Sequence, residues 1–145
     1  SSAASDVYKR QDKYDILDYT LSVTILKDLN DTLTISEMIN EAVISEVFIA
    51  IAHYMSEVQE SCKKNSETFC NQAHKRINNE LEDIFTIMLR NSYPDQDIDI
   101  LVNSASFLAA GICGLGRHWL DTSTLTAEAF IEKNLPFLIH HITHL

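Results

Sequence analysis

Turn-forming residues are scarce in this chain. Its 145 residues include three glycines and two prolines, where average usage would place roughly 17 of them. A β-sandwich or small barrel needs frequent turns, and this supply is too small for one. Cysteine is sparse as well. Cys62, Cys70 and Cys113 form an odd, widely spaced set, which reads as reduced thiols in a cytoplasm. Long apolar runs are missing: the best stretch, Ala42 to Ala52, is broken by Ser45 and Glu46, short of the roughly 18 residues of a membrane helix. No apolar signal-peptide core opens the chain. Positive charge is in deficit too, with 11 Lys and Arg against 21 Asp and Glu and a net charge of −10. Such a domain repels phosphate backbones, which excludes nucleic-acid binding by these residues alone. What is present, 46% hydrophobic and 22% charged residues, is ordinary globular usage. The expectation is a single, mainly helical, cytoplasmic domain with one core and no membrane segment.

Residues 1–11, SSAASDVYKRQ, show no helical stripe. They resemble a translated adaptor or vector segment, with a native disordered tail as the alternative, and are set apart from a folded domain over 12–145. From Asp12, the positions Tyr14, Leu17, Leu21, Ile25 and Leu29 recur at helical spacing. The β-branched patch from Thr20 to Ile25 argues for a strand, but the stripe continues on both sides of it. Thr34 and Glu37 fit a capping box ahead of Ile35, Ile39, Val43, Val47, Ile51 and Met55. This second helix, apolar over more than half its circumference, is expected at the centre of the fold. A third stripe runs from Phe69 to Met88 and stops at Tyr93-Pro94-Asp95. A fourth helix spans about Asp97 to Leu120, and a fifth opens near Thr126 and contains Pro136, which predicts a kink.

All three glycines fall in Gly111-Ile112-Cys113-Gly114-Leu115-Gly116. As a phosphate loop the spacing is wrong, no strand precedes it, and no Lys-Ser/Thr follows. Small residues on a helix instead mark the close approach of another helix or of a symmetry mate.

The segment from Phe107 through Gly111-Ile112 to Trp119-Leu120 resembles the penultimate helix of TetR-family regulators. The polar turn Asp121-Thr122-Ser123-Thr124 and the acidic start of the next helix at Glu128 continue the likeness. At the other end, Asp12-Lys13-Tyr14-Asp15-Ile16-Leu17 is similar to the Asp-Lys-Tyr-Asp-Leu-Leu segment that opens the family's regulatory domain. The middle of the chain matches only as a helix pattern. The resemblance implies an all-α bundle of five, or six, helices, the last two forming a four-helix bundle with a second subunit. The family's helix-turn-helix lies upstream of the first motif, where residues 1–11 stand here. DNA is therefore expected only through a missing N-terminal domain. A bound effector would shift the helix from Asp12 to Leu29, to which that reader is attached.

The chemistry-bearing residues call for no enzyme. His140 and His144 lie one helical turn apart, but no third ligand or H-E-x-x-H pattern accompanies them, so neither a metal nor a cofactor is expected. His53 and His74 sit beside apolar stripes, where a satisfied boundary histidine is the ordinary reading. No nucleophile elbow occurs. A small apolar effector is a better fit, with Phe48, Ile51, Tyr54, His74, Phe85, Met88, Asn103 and Phe107 as its lining. Ile112, Leu115, Trp119, Phe130, Phe137 and Leu138 are the expected dimer surface. For each of these residues, plain core packing is the competing reading. The function expected is ligand sensing and dimerisation in a one-component regulator. The rivals are a stand-alone helical interaction module and a small helical enzyme using His53 or His74.

Overall fold

The computed structural model describes residue 29, residues 38–64 and residues 66–142. Among the described residues every regular element is an α-helix: α1 (Glu41–Cys62), α2 (Glu67–Ser92), α3 (Ile98–Thr122) and α4 (Ala127–Ile142). The expected helix before them, the capping box at Thr34 and Glu37, and the tail over 1–11 lie outside the described residues. Leu29 alone of that first stripe is described, fully buried in the core.

Local chemistry sets the ends of these helices. α1 begins later than the capping box predicts: Asn40 is the N-cap, its side chain accepting from Val43 N at 3.0 Å. Met38 and Ile39 precede the helix, and Ile39 N donates instead to Ser92 Oγ at the far end of α2, at 3.0 Å. That bond ties the residue before the cap to the end of α2. Ser66 caps α2, accepting from Phe69 N at 3.3 Å, and Asp97 caps α3, accepting from Asp99 N at 2.8 Å. Each satisfies an amide that has no partner within its helix. Thr126 Oγ1 accepts from Ala129 N at 3.1 Å at the start of α4. Pro136 lies inside α4, where it removes one backbone donor.

α1 is the hub, packing against α2, α3 and α4, while the most extensive pairing is α2 with α3. Its buried face carries Val43, Ile44, Val47, Phe48, Ile51, Ala52, Tyr54, Met55 and Val58. Phe48 stacks on Phe130 of α4, ring centroids 5.6 Å apart and planes inclined by 20°. Between α2 and α3, Glu82 Oε1 accepts from Ser106 Oγ at 3.1 Å.

The cysteines differ from the sequence expectation. Cys62 and Cys70 form a disulfide, Cα atoms 5.7 Å apart, joining the end of α1 to the first turn of α2, and only Cys113 is a free thiol. Spacing along the chain gave no sign of the pairing because the helix reversal, not the sequence interval, brings the two together. A second difference concerns α3. It is long and apolar enough to cross a membrane, with mean hydropathy 1.7 over its best window, a third of which is buried. Averaging absorbs the isolated polar residues Asn103, Ser104 and Ser106 that interrupt a strict apolar run.

The glycines of α3 divide by face. A Cβ at Gly116 would lie 3.1 Å from Met55 Sδ and 3.7 Å from Ile51 Cγ2, so this residue permits the close approach of α3 to α1. At Gly111 and Gly114 a Cβ would meet nothing within 4 Å. Alanine at either of these two removes backbone freedom from the unfolded chain without a clash. Each is expected to raise monomer stability by about 0.5–1 kcal/mol in urea unfolding. Gly116→Ala should gain less, because Met55 must first yield.

Candidate functional site

The residues expected to line one effector pocket are not brought together. Phe48, Ile51, Tyr54, Phe85 and Met88 are all buried in the core. Asn103 is exposed on α3, and Phe107 is 79% exposed. These two lie on the side of α3 opposite its buried stripe of Leu101, Ala105, Leu108, Ala109, Ile112, Cys113 and Gly116. Sequence periodicity could not orient this helix, because small and apolar residues surround it on nearly all sides.

Polar chemistry inside the bundle gathers where α1, α2 and α3 approach. Tyr54 Oη on α1 donates to Ala73 O on α2 at 3.4 Å. The next residue, His74, is half-buried, and its Nδ1 is buried without a hydrogen-bond partner among the described residues. An unsatisfied buried polar atom carries a desolvation cost. Burial, and then the charge of Arg117 on α3, hold the His74 pKa below its ordinary 6.5. Burial pushes the Cys113 thiol up to about 11, with Arg117 opposing. That thiol is protonated and unreactive near neutral pH.

The His74 shift has a defined sign. Below pH 6.5 the unfolded chain takes up a proton that folded His74 refuses. Stability therefore falls as pH drops through 6.5, and continues to fall until the lower folded-state value is reached. His74→Gln is expected to flatten that fall in urea midpoints measured from about pH 7.5 to about pH 5.

His53, by contrast, is exposed on α1, where its Nε2 lies 3.4 Å from Glu128 Oε1 of α4. A surface pair of this kind is screened by water and salt. Among the described residues no three His, Cys, Asp or Glu side chains converge on a metal-sized site, and His144 lies outside them.

The expected dimer residues are similarly divided. Ile112 is 6% exposed and belongs to the core. Leu115, Trp119, Phe130 and Leu138 are partly buried against that core, and Trp119 Nε1 donates to Leu125 O at 2.9 Å. Phe137 is 72% exposed. The outward stripe of α3 consists of Ile100, Asn103, Phe107, Ala110, Gly111 and Gly114, of which the sequence pattern marked only the glycines as a place of close helix approach. Ile100 is 51% exposed, and the two glycines face open space. The signal was present in the sequence as a spacing of three and four residues from Asn103 to Gly114.

Two surface grooves adjoin the α2–α3 turn. The larger, about 630 Å³, is lined by Ile87, Arg90, Asn91, Pro94, Gln96, Ile98 and Leu101. The smaller, about 60 Å³, is lined by Leu89, Tyr93, Gln96, Ile100, Leu101 and Ser104. Neither includes a residue expected to bind an effector. No family model, curated protein or solved structure matches the chain.

Proposed function

We propose that this chain is the ligand-sensing and dimerisation domain of a one-component transcription regulator of the TetR kind, its DNA-reading helices carried outside residues 12–145. The observation that carries the reading is the outward stripe of α3. A phenylalanine 79% exposed stands beside two glycines that open onto empty space, on the helix whose sequence resembles the family's dimer helix. Glycine inside a helix lowers stability by about 1 kcal/mol, a cost that close helix-to-helix contact offsets. A second copy supplies that contact through the same stripe.

The effector half of the proposal is supported by His74. Its Nδ1, buried without a hydrogen-bond partner among the described residues, lies one residue from the Tyr54–Ala73 hydrogen bond, and a small apolar molecule bearing one hydrogen-bond donor would satisfy it. The core is closed around Tyr54 and Ala73, so its packing must open to admit such a molecule. Regulation then requires only that the effector favour one bundle arrangement over another.

The test combines two measurements on the purified chain. Sedimentation across a range of concentrations should show a dimer. Heat denaturation against a panel of small apolar alcohols and phenols should show at least one that raises Tm. A monomer stabilised by none of them removes the reading. A dimer stabilised by none favours the stand-alone interaction module, which uses the same exposed stripe.

A further inference from the structure

The Cys62–Cys70 disulfide lies outside everything assigned to the dimer stripe or the effector. It closes a small ring, with a sequence separation of 8, around the turn that contains Lys63 and Lys64. Both sulfur-bearing residues are half-buried rather than enclosed, and the turn between them is exposed at Lys63 and Lys64. A ring this short removes less freedom from the unfolded chain than a long-range bridge would, and so adds less to the stability of the folded oxidised form. Exposed disulfides are the labile ones that exchange with small thiols. The bridge also joins α1 and α2, which pack less extensively than α2 with α3, α1 with α3 or α1 with α4.

We propose that Cys62 and Cys70 are a reversible dithiol–disulfide couple that exchanges with low-molecular-weight thiols and disulfides, clasping the α1–α2 turn when oxidised and releasing it when reduced. In oxidation, a thiolate of the chain attacks one sulfur of the small disulfide, forming a mixed disulfide and expelling one small thiolate. The second cysteine of the chain then attacks the chain's sulfur in that mixed disulfide and expels the other. Two thiols of the chain become one disulfide, one small disulfide becomes two small thiols, and the two protons end on those thiols. Cys70 is the fourth residue of α2, where the positive end of the helix dipole favours a departing thiolate. Cys113 takes no part, because it is buried and its thiol stays protonated.

Releasing the clasp leaves the turn held by weaker ties: Lys63 N to Gln59 O at 3.3 Å and Lys64 N to Ser61 O at 3.1 Å. Lys63 and Lys64 are both exposed, and trypsin cleaves after each. The experiment equilibrates the full chain in mixtures of reduced and oxidised glutathione, blocks free thiols by alkylation, and maps them by mass spectrometry. Parallel samples receive a brief trypsin pulse. Cys62 and Cys70 should convert together, half-oxidised at an intermediate mixture, while Cys113 stays a thiol throughout. The reduced form should be cut between Cys62 and Cys70 about tenfold faster. A bridge that survives excess reduced glutathione is a permanent staple, and a pair that never closes in excess oxidised glutathione is no couple. Either result overturns the proposal, and so does reversible exchange with equal cutting rates.

Discussion

Phe48→Ala is expected to lower the unfolding free energy by about 3–5 kcal/mol, the range for emptying a large aromatic site in a core. Phe48 is fully buried on the hub helix and is stacked on Phe130 at 5.6 Å. Its removal takes away buried apolar area and the aromatic pair that joins α1 to α4. The pair itself contributes about 0.5–1.5 kcal/mol beyond area. Since domains of this size are stable by only about 5–15 kcal/mol, the variant should sit near the edge of folding at 37 °C. Phe130→Ala, at a partly exposed ring, should cost less, and the double variant should cost less than the two added together. Urea unfolding of the three variants measures all of this. A loss under about 1 kcal/mol at Phe48 would mean that the surrounding residues close over the gap, and that this part of the core is pliable enough to admit an effector without opening.

Phe107→Asp is expected to do the opposite: leave the fold alone and break the proposed dimer. At 79% exposure the ring contributes little to the monomer, and its loss should change unfolding by no more than about 0.5 kcal/mol. At the centre of an interface, the same substitution buries a carboxylate against its own symmetry mate. Truncation at such a site costs about 2–4 kcal/mol, or roughly thirtyfold to a thousandfold in Kd. Sedimentation equilibrium of the two proteins reads this directly. An unchanged Kd places the interface on another face. If the native chain is monomeric and instead binds phosphatidylcholine vesicles, the hydropathy of α3 belongs to a lipid contact and the dimer proposal falls.

The helices were legible because α2 has a clear apolar stripe and strong stops. Tyr93-Pro94-Asp95 ended it, and Asp97 capped the next, as local chemistry dictates. The start of α1 was not legible. The capping box placed it at Thr34, whereas the N-cap is Asn40, six residues later, next to the tertiary bond from Ile39 N to Ser92 Oγ. Which way α3 faces was hidden for a different reason. Gly116 touches Met55 while Gly111 and Gly114 touch nothing, yet all three are the same letter in the sequence. Asn103 and Phe107 were thus grouped with core residues of α1 and α2 from which they point away. The cysteine pairing also needed the fold, since only the reversal between α1 and α2 brings Cys62 to Cys70.

The helix contacts also set an order of opening. α2 and α3 form the broadest pairing, whereas α4 leans chiefly on α1, through Phe48–Phe130 and the exposed His53–Glu128 pair. Amide protons on α4 should therefore exchange with deuterium through partial unfolding, well before those of the α2–α3 hairpin, whose protection approaches that of global unfolding. A molecule of this shape can lift its last helix without losing its hairpin, and whatever grips α4 from outside gains a handle on α1.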